Sequence, residues 1–423
     1  MRLIPVAFCL ALNVAAGAAR AADPPAGPPD DLDALTLADK APAEKPAAAS
    51  PWRIFIEGAT GQGTVIGNPL RVDSARASLD LRYDGTLAPG LRAVLSNRLD
   101  LTDGAGNTVA RDANTLREAY LSWARTPDQL IDIGRVNLRH GAAFGYNPTD
   151  WFKENALRSI VSPDPAVLRE SRLGTFVLQG QQLWPNAALT AAFSPKLGRA
   201  PNPATFALDA GATNPRSRWL LAGSYKINER LNPELLAYGG AGTPTQLGLN
   251  LSGLVGDAAV VFAEFASGRG RSLAAQALGA AEVERAQRRA SLGVTYTTPF
   301  NLSVTLEGEY NSAGPDRAQW FALPAGVGLR LLGASQALQD LPVRRAAFVH
   351  ATWKDAVVRR LDLSAFVRRE GVTSSRSQWL EARYRWDRAD LSLQWQGFSG
   401  APGSVYEAVP QRRSVELVLR GYL

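Results

Sequence analysis

Closely spaced glycines follow an apolar stretch near the start of the chain, in "IFIEGATGQGTVIG" from Ile54 to Gly67. Such glycines could cradle the pyrophosphate of a dinucleotide if a helix began directly after them. Pro69 stands where that helix would have to run, and a proline there removes a hydrogen bond and clashes with the preceding turn. The sequence therefore predicts no nucleotide cofactor, and we expect Gly58 to Asn68 to form a loop between two strands.

Two histidines, His140 and His350, are the only imidazoles that could act in catalysis or bind a metal. A hydrolase would need a serine nucleophile beside one of them, and the G-x-S-x-G turn that often presents such a serine is missing from the sequence. Two histidines far apart, without a thiolate partner, also make a poor metal site. We expect no enzyme and no metal, with an outer-membrane hydrolase as a remote alternative.

The first residues predict export. Arg2 precedes the apolar run "LIPVAFCLALNVAAGAA" and a small-residue "ARA" site, which is the pattern of a secretory signal peptide over residues 1–21. Residues 22–51 are rich in Pro and Ala, and we expect a disordered periplasmic leader because such a segment has too little apolar surface to fold. The sole cysteine, Cys9, lies in the signal peptide, so the mature chain has no thiol for a disulfide.

The net charge is +7, and arginine supplies most of the positive charge. A basic protein could bind nucleic acid, but the chain has no basic run with interleaved aromatic residues. We therefore expect no nucleic-acid partner.

Alternation with a period of two is the main structural signal. In "SARASLDLRY", Ala77, Leu79 and Leu81 share one face, whereas Asp80 and Arg82 share the other. This is the pattern of a strand with one apolar and one polar face, and it recurs in "NLSVTLEGEY", "RLDLSAFVR" and "ADLSLQWQG".

The spacing of the strands indicates their architecture. About 18 strands follow Pro51, and the connections after even-numbered strands are short whereas those after odd-numbered strands are mostly longer. A transmembrane barrel has this order, with tight periplasmic turns and long extracellular loops. We expect an all-β fold over residues 52–423, a transmembrane antiparallel up-and-down β-barrel of 16–18 strands.

Two resemblances agree with this architecture. The final stretch "VELVLRGYL" resembles the C-terminal strand of Gram-negative outer-membrane proteins, although it ends in leucine rather than in the usual phenylalanine. The stretches "LREAYLSW", "IDIGRVNLRHG" and "NPTD" are similar to parts of porin-like and alginate-export-like barrels. The resemblance implies the outer membrane, with its lipids, its lipopolysaccharide and its barrel-insertion machinery as partners, and it leaves open whether the chain forms a homo-oligomer.

The loop after the fifth strand, residues 139–169, is the main functional candidate. Large barrels are often narrowed by such an insert, and aromatic residues favour a packed loop over a solvated one. We expect its polar and aromatic residues to narrow the pore: His140, Tyr146, Asn147, Asp150, Trp151, Phe152, Lys153 and Glu154. A second long loop, residues 312–342, is the other candidate.

Charged residues on the inward phase of the strands are the remaining site prediction. The basic ones are Arg76, Arg82, Arg92, Arg98, Arg344, Arg360, Arg368, Arg383 and Arg385, and the acidic ones are Asp80, Glu307, Glu309 and Glu381. An arginine excess in a narrow pore favours anions. The sequence thus predicts a channel for small solutes, with a modest preference for anions. An export conduit for a secreted polysaccharide is the alternative.

Overall fold

The computed structural model describes residues 50–66, 71–104 and 112–423, so that the expected signal peptide and most of the leader lie outside the described residues. The described residues form one sheet of 18 strands, in which each strand pairs with its neighbours in sequence and β1 also pairs with β18. All pairs are antiparallel, from β1 against β2 to β17 against β18. The sheet is therefore a closed up-and-down barrel, which confirms the predicted fold class.

The strands have the following bounds: β1 Trp52–Val65, β2 Arg71–Ala88, β3 Leu91–Gly104, β4 Asp112–Thr126, β5 Gln129–Val136, β6 Thr175–Trp184, β7 Ala187–Ser194, β8 Arg218–Tyr225, β9 Glu234–Gly240, β10 Thr243–Val255, β11 Ala259–Gly270, β12 Arg285–Thr297, β13 Leu302–Asn311, β14 Arg345–Trp353, β15 Leu361–Glu370, β16 Arg376–Arg385, β17 Ala389–Ser399 and β18 Gln411–Tyr422. The connections contain short helices: α1 Pro165–Glu170, α2 Ala210–Thr213, α3 Leu273–Leu278, α4 Arg317–Phe321 and α5 Val327–Leu338.

The wall has charged residues inside and apolar residues outside. On β2, Arg76 and Asp80 are only 8% and 4% exposed, whereas Leu79 between them is 37% exposed. On β13, Glu307 is buried while its neighbour Leu306 is half exposed. A soluble protein would place these residues the other way round, so the outer surface of the barrel suits hydrocarbon rather than water.

The connections differ in length at the two ends of the barrel. Those after even-numbered strands form the short-turn end, and the longest of them is 226–233. Those after odd-numbered strands form the long-loop end, where the third, fourth and seventh connections are long; we call them L3 (137–174), L4 (195–217) and L7 (312–344). The turn between β2 and β3 is tight because Gly90 adopts a φ of 74°, which other residues reach only at a cost.

Exposed aromatic residues gather at the short-turn end. Trp123 and Trp386, at the ends of β4 and β16, are 49% and 47% exposed. Others at the same level are Trp52, Trp184, Tyr225 and Tyr296. Rings with one polar edge favour the boundary between hydrocarbon and water. In the described part of the chain, no helix is long and apolar enough to cross a bilayer.

The expected loop from Gly58 to Asn68 is wrong, because β1 continues to Val65. Gly58 pairs with Leu419 of β18 and with Ala77 of β2, so it belongs to the sheet. Gly61 has a packing role, since a Cβ there would lie 2.7 Å from the carbonyl oxygen of Val415. Glycine within a strand permits such close approach of a neighbouring backbone and does not by itself indicate a turn.

Helix α1 lies within L3, and L7 packs against neighbouring loops at the long-loop end. Pro165 begins α1, and the Asp164 side chain caps it by accepting a hydrogen bond from the backbone N–H of Ala166. Residues 165–170 therefore stay in L3, and β6 begins at Thr175. L7 packs with the neighbouring loops in an apolar cluster that contains Leu273, Trp320, Leu331, Val343, Val372 and Val405.

Candidate functional site

L3 leaves the wall after β5 and packs inside the barrel. Ala143 and Asp150 in this loop are 0% and 1% exposed. Ala143, Phe144 and Thr149 of this loop form hydrogen bonds with inward-facing side chains of β11, β13 and β10, respectively. The loop is thus held by the barrel wall over much of its length.

Two wall carboxylates bind the backbone of L3 directly. The Glu307 carboxylate accepts hydrogen bonds from the backbone N–H groups of Phe144, Gly145 and Tyr146, each at 2.9 Å. Glu264 accepts a hydrogen bond from the backbone N–H of Ala143 at 2.6 Å. We call Glu264, Glu307 and the adjacent Glu309 the glutamate clamp. Hydrogen bonds to a charged acceptor are among the stronger ones, so the clamp fixes this part of the loop.

Glycines in L3 make the clamp geometry attainable. Gly141 has a φ of 89°, and a Cβ on it would collide with the Glu264 carboxylate. A Cβ on Gly145 would lie 2.6 Å from Glu309 Oε1 and 2.7 Å from Phe348. The Gly145 carbonyl also accepts a hydrogen bond from Arg368, which pairs with Glu309 at 2.9 Å. Larger residues at these positions would push the loop away from the wall.

Aromatic packing holds the next part of L3. The Trp151 ring stacks on Tyr238 of β9 with centroids 5.1 Å apart, and its Nε1 donates a hydrogen bond to Gln246 of β10 at 2.9 Å. The Arg218 guanidinium lies 4.6 Å from the centre of the Phe152 ring. These rings belong to the largest apolar cluster inside the barrel, together with Val136, Val177 and Leu220.

Hydrogen bonds from L7 also hold L3 in place. The Tyr146 hydroxyl donates a hydrogen bond to Asp340 at 2.9 Å, and Gln339 donates one to the carbonyl of Lys153 at 2.6 Å. Lys153 is buried, and its Nζ donates to the carbonyl of Asn147 at 2.7 Å. Burial lowers the pKa of Lys153 to about 8, because water no longer solvates the ammonium group.

The eight predicted loop residues thus contact the wall, a neighbouring connection or L3 itself. His140 lies 3.3 Å from Glu234 of β9, Asp150 pairs with Arg172 at 2.5 Å, and Glu154 pairs with Arg216 of L4 at 2.5 Å. Their contacts hold the loop in place. The loop residues that face open space are different ones.

A narrow gap separates L3 from the opposite wall. Val161, Ser162 and Val167 line its loop side. The wall side is formed by residues of β1, β2, β16, β17 and β18: Glu57, Arg76, Arg383, Asp390, Ser392, Gln394, Val418 and Arg420. The gap has a volume of about 30 Å³, which admits one or two water molecules. Sequence reasoning missed the three loop residues because they carry neither charge nor an aromatic ring.

Most predicted lumen charges form ion pairs on the wall. The Glu57 carboxylate forms ion pairs with the guanidinium groups of Arg76, Arg98 and Arg420, the last two at 2.8 Å. Arg117 pairs with Asp80 at 2.5 Å, and Arg383 pairs with Glu381 at 2.8 Å. The Arg383 and Arg420 side chains nevertheless stay 23% and 25% exposed. They are the cations best placed to meet a solute in the gap.

The other predicted arginines lie nearer the ends of the barrel. Arg92 pairs with Asp84 and Arg385 with Asp362 near the short-turn end, where Arg82 also lies. Arg344 lies in L7, where it pairs with Asp316, and Arg360 lies in the turn before β15, where it pairs with Asp387. β14 begins at Arg345 and β15 at Leu361, so Arg344 and Arg360 lie just outside the strands on which the inward phase is predicted.

The two histidines lie in different surroundings. His140 contacts Glu234, whereas His350 Nε2 lies 4.0 Å from Asp164 and its ring packs against Phe144 at 4.3 Å. Among the described residues, neither imidazole has a hydrogen bond to a serine hydroxyl, and no group of three or more His, Cys, Asp or Glu side chains could hold a metal.

Solved structures share this fold. OccAB1 of Acinetobacter baumannii matches with a TM-score of 0.58 and 12% identity, over 88% of this chain and 96% of that one. OpdQ of Pseudomonas aeruginosa matches at 0.54 and 10%, over 89% and 99% of the two chains, and OccK7 (OpdD) of the same organism at 0.53 and 12%, over 88% and 98%. These neighbours are outer-membrane porins, and at such identities the likeness establishes the fold. No protein-family model and no curated protein matches the chain.

Proposed function

We propose that this protein is an outer-membrane channel through which small solutes diffuse, with anions preferred. The observation that carries the proposal is the position of L3. The loop is bound to one side of the barrel interior and leaves a charge-lined gap on the other. The apolar outer surface and the aromatic residues at the short-turn end support a membrane location, with lipids and lipopolysaccharide around the barrel.

The charges at the gap support the preference for anions. Arg76, Arg383 and Arg420 line the gap with Glu57 and Asp390, and Glu416 and Glu381 pair with Arg76 and Arg383 beside it, so that acids balance the arginines in number. In a narrow passage a solute exchanges part of its hydration for contact with the wall, so the side chains that stay partly exposed, Arg383 and Arg420, affect selectivity more than their buried partners Glu381 and Glu57. The packing of L3 inside the barrel also favours small solutes over the polysaccharide of an export conduit, which would require L3 to leave the lumen.

Conductance of the purified barrel in a planar bilayer tests the proposal. We expect discrete current steps, and in a salt gradient a reversal potential of the sign that anion preference gives. Swelling of liposomes in sugars and organic acids of graded size measures the cut-off. A barrel that inserts but carries no current would contradict channel function, and a cation-selective current would contradict the preference.

A further inference from the structure

One sector of the wall is not completed by strands. β5 ends at Val136 and β6 begins at Thr175, because L3 turns inward between them, whereas β4 continues to Asp112. The pairing of β4 with β5 reaches only Ala119. Residues 112–118 of β4 thus have no strand partner on that side, where L3 supplies one backbone hydrogen bond, from the N–H of Gly174 to the carbonyl of Arg117 at 2.7 Å. Backbone groups left unpaired within a membrane are costly.

L4 fills this sector. The backbone N–H of Asn114 donates to the carbonyl of Thr205 at 2.9 Å, as it would in a sheet. Arg158 of L3 donates to the carbonyls of Asn114, Ala204 and Ala207 at 3.2, 2.7 and 2.7 Å, so one buried guanidinium ties the two edges together. On its return, L4 bonds to β6 through the Asn214 side chain.

An arginine beneath L4 indicates what the loop shields. Arg135 on β5 has the same phase as Ile133, which is 58% exposed on the outside of the barrel, yet Arg135 is fully buried. Its guanidinium lies over the Phe176 ring at 4.5 Å and donates to the carbonyl of Leu116. A charged side chain on the lipid face destabilises a barrel, so this position needs a cover.

The outer side of the L4 segment is apolar and continues the surface of the wall. Phe206 and Leu208 are 73% and 60% exposed, and they alternate with the half-buried Thr205 and Ala207 around a turn in which the backbone N–H of Ala207 donates to the carbonyl of Ala204 at 3.0 Å. On either side of this sector, exposed apolar residues such as Leu101 on β3 and Phe193 on β7 face outward. At the rise and tilt of barrel strands, the segment lies roughly 20 Å above the aromatic residues at the short-turn end, within a hydrocarbon band of about 25 Å.

We propose that residues 204–208 of L4 are part of the membrane wall, and that Phe206 and Leu208 contact the acyl chains of the outer leaflet. The inference rests on the membrane location in the proposed function. It assigns an interaction surface to a connection that topology alone would place in water. The loop covers β4 beyond the end of β5, and Arg158 links this cover to the insert inside the barrel.

Single cysteines test the assignment, since the only native cysteine is Cys9 in the expected signal peptide. Phe206→Cys and Leu208→Cys are each labelled with a fluorophore and reconstituted in phosphatidylcholine vesicles that contain lipids with a nitroxide near the headgroup end of the acyl chain. Leu121→Cys, on the outer face of β4, is the lipid reference, and Val283→Cys, 79% exposed in the connection before β12, is the water reference. A heat-induced gel shift verifies that each variant folds.

Labels at 206 and 208 should show roughly threefold more nitroxide quenching than the label at 283. Apolar groups favour the acyl chains over water, and the nitroxide is attached to those chains. Iodide in the buffer should quench them correspondingly less. If the labels at 206 and 208 were quenched like the label at 283, while the label at 121 showed strong nitroxide quenching, this inference would be overturned and the proposed function would be unaffected. If the label at 121 were also open to iodide, the membrane location would fail, and the proposed function with it.

Discussion

The two sides of the barrel interior use their charges differently. The side formed by β11 and β13 presents Glu264 and Glu307 to the backbone of L3, so its carboxylates are occupied by loop amides. The side formed by β1, β2 and β16–β18 pairs its acids with arginines of the same wall, and Arg383 and Arg420 stay partly exposed. One side binds the insert, and the other is left to meet solutes.

The chemistry of the two groups explains the division. An ionised carboxylate accepts hydrogen bonds and cannot donate them. A loop can satisfy it with backbone N–H groups alone, without using any side chain. An arginine only donates, so it would have to bind carbonyl oxygens, as Arg368 does at Gly145. A wall of carboxylates is therefore suited to hold a loop whose successive N–H groups converge, as those of Phe144, Gly145 and Tyr146 do.

Removal of the clamp should have the largest effect. Glu307→Ala leaves three backbone N–H groups of L3 without an acceptor, and each buried group left unpaired costs about 1–3 kcal/mol. We expect the loop to detach and the single-channel conductance to rise several-fold. Glu416→Ala is the matched control, because Glu416 faces the lumen from β18 and pairs with Arg76 at 3.4 Å. An equal rise in both variants would contradict the division between the two sides.

A methyl group at Gly145 should have a smaller effect of the same kind. The added Cβ would lie 2.6 Å from Glu309 and 2.7 Å from Phe348, so L3 must shift by several tenths of an ångström. Gly145→Ala should increase current noise and moderately raise the mean conductance. Gly308→Ala is the control, because the nearest atom to its Cβ would be 3.9 Å away. If the current noise and the mean conductance of Gly145→Ala equalled those of the native protein, L3 would not be tightly packed at this position.

Loss of the exposed arginines should change selectivity more than conductance. Arg383→Gln and Arg420→Gln each remove one positive charge from the gap, and we expect the anion-to-cation permeability ratio to fall roughly twofold in each. The reversal potential in a salt gradient measures the ratio. Arg385→Gln removes the same charge near the short-turn end and should have less effect. A larger shift in Arg385→Gln would move the selective region away from the gap.

Much of the fold follows from the sequence, because alternation along a strand is local. The inward phase of Asp80 and Glu307 and the order of short and long connections can both be predicted from neighbouring residues. The site is harder, since contacts such as Gly141 with Glu264 join distant parts of the chain. Buried partners draw the conspicuous side chains of L3 towards the wall, so the gap is lined by its inconspicuous ones.

Titration of Lys153 should produce the smallest effect. Burial lowers its pKa to about 8, from an ordinary value of 10.5, while the loop is docked. Between these two values a detached loop would bind more protons than the docked loop, so docking becomes more favourable as the pH rises through this window. We expect the conductance to fall slightly between pH 7 and pH 10. Lys153→Met should abolish this fall, whereas Lys226→Met, in the turn after β8, should retain it. A conductance that rises with pH in the native protein, and not in Lys153→Met, would mean that the ammonium group holds L3 through Asp340 more strongly than burial opposes it.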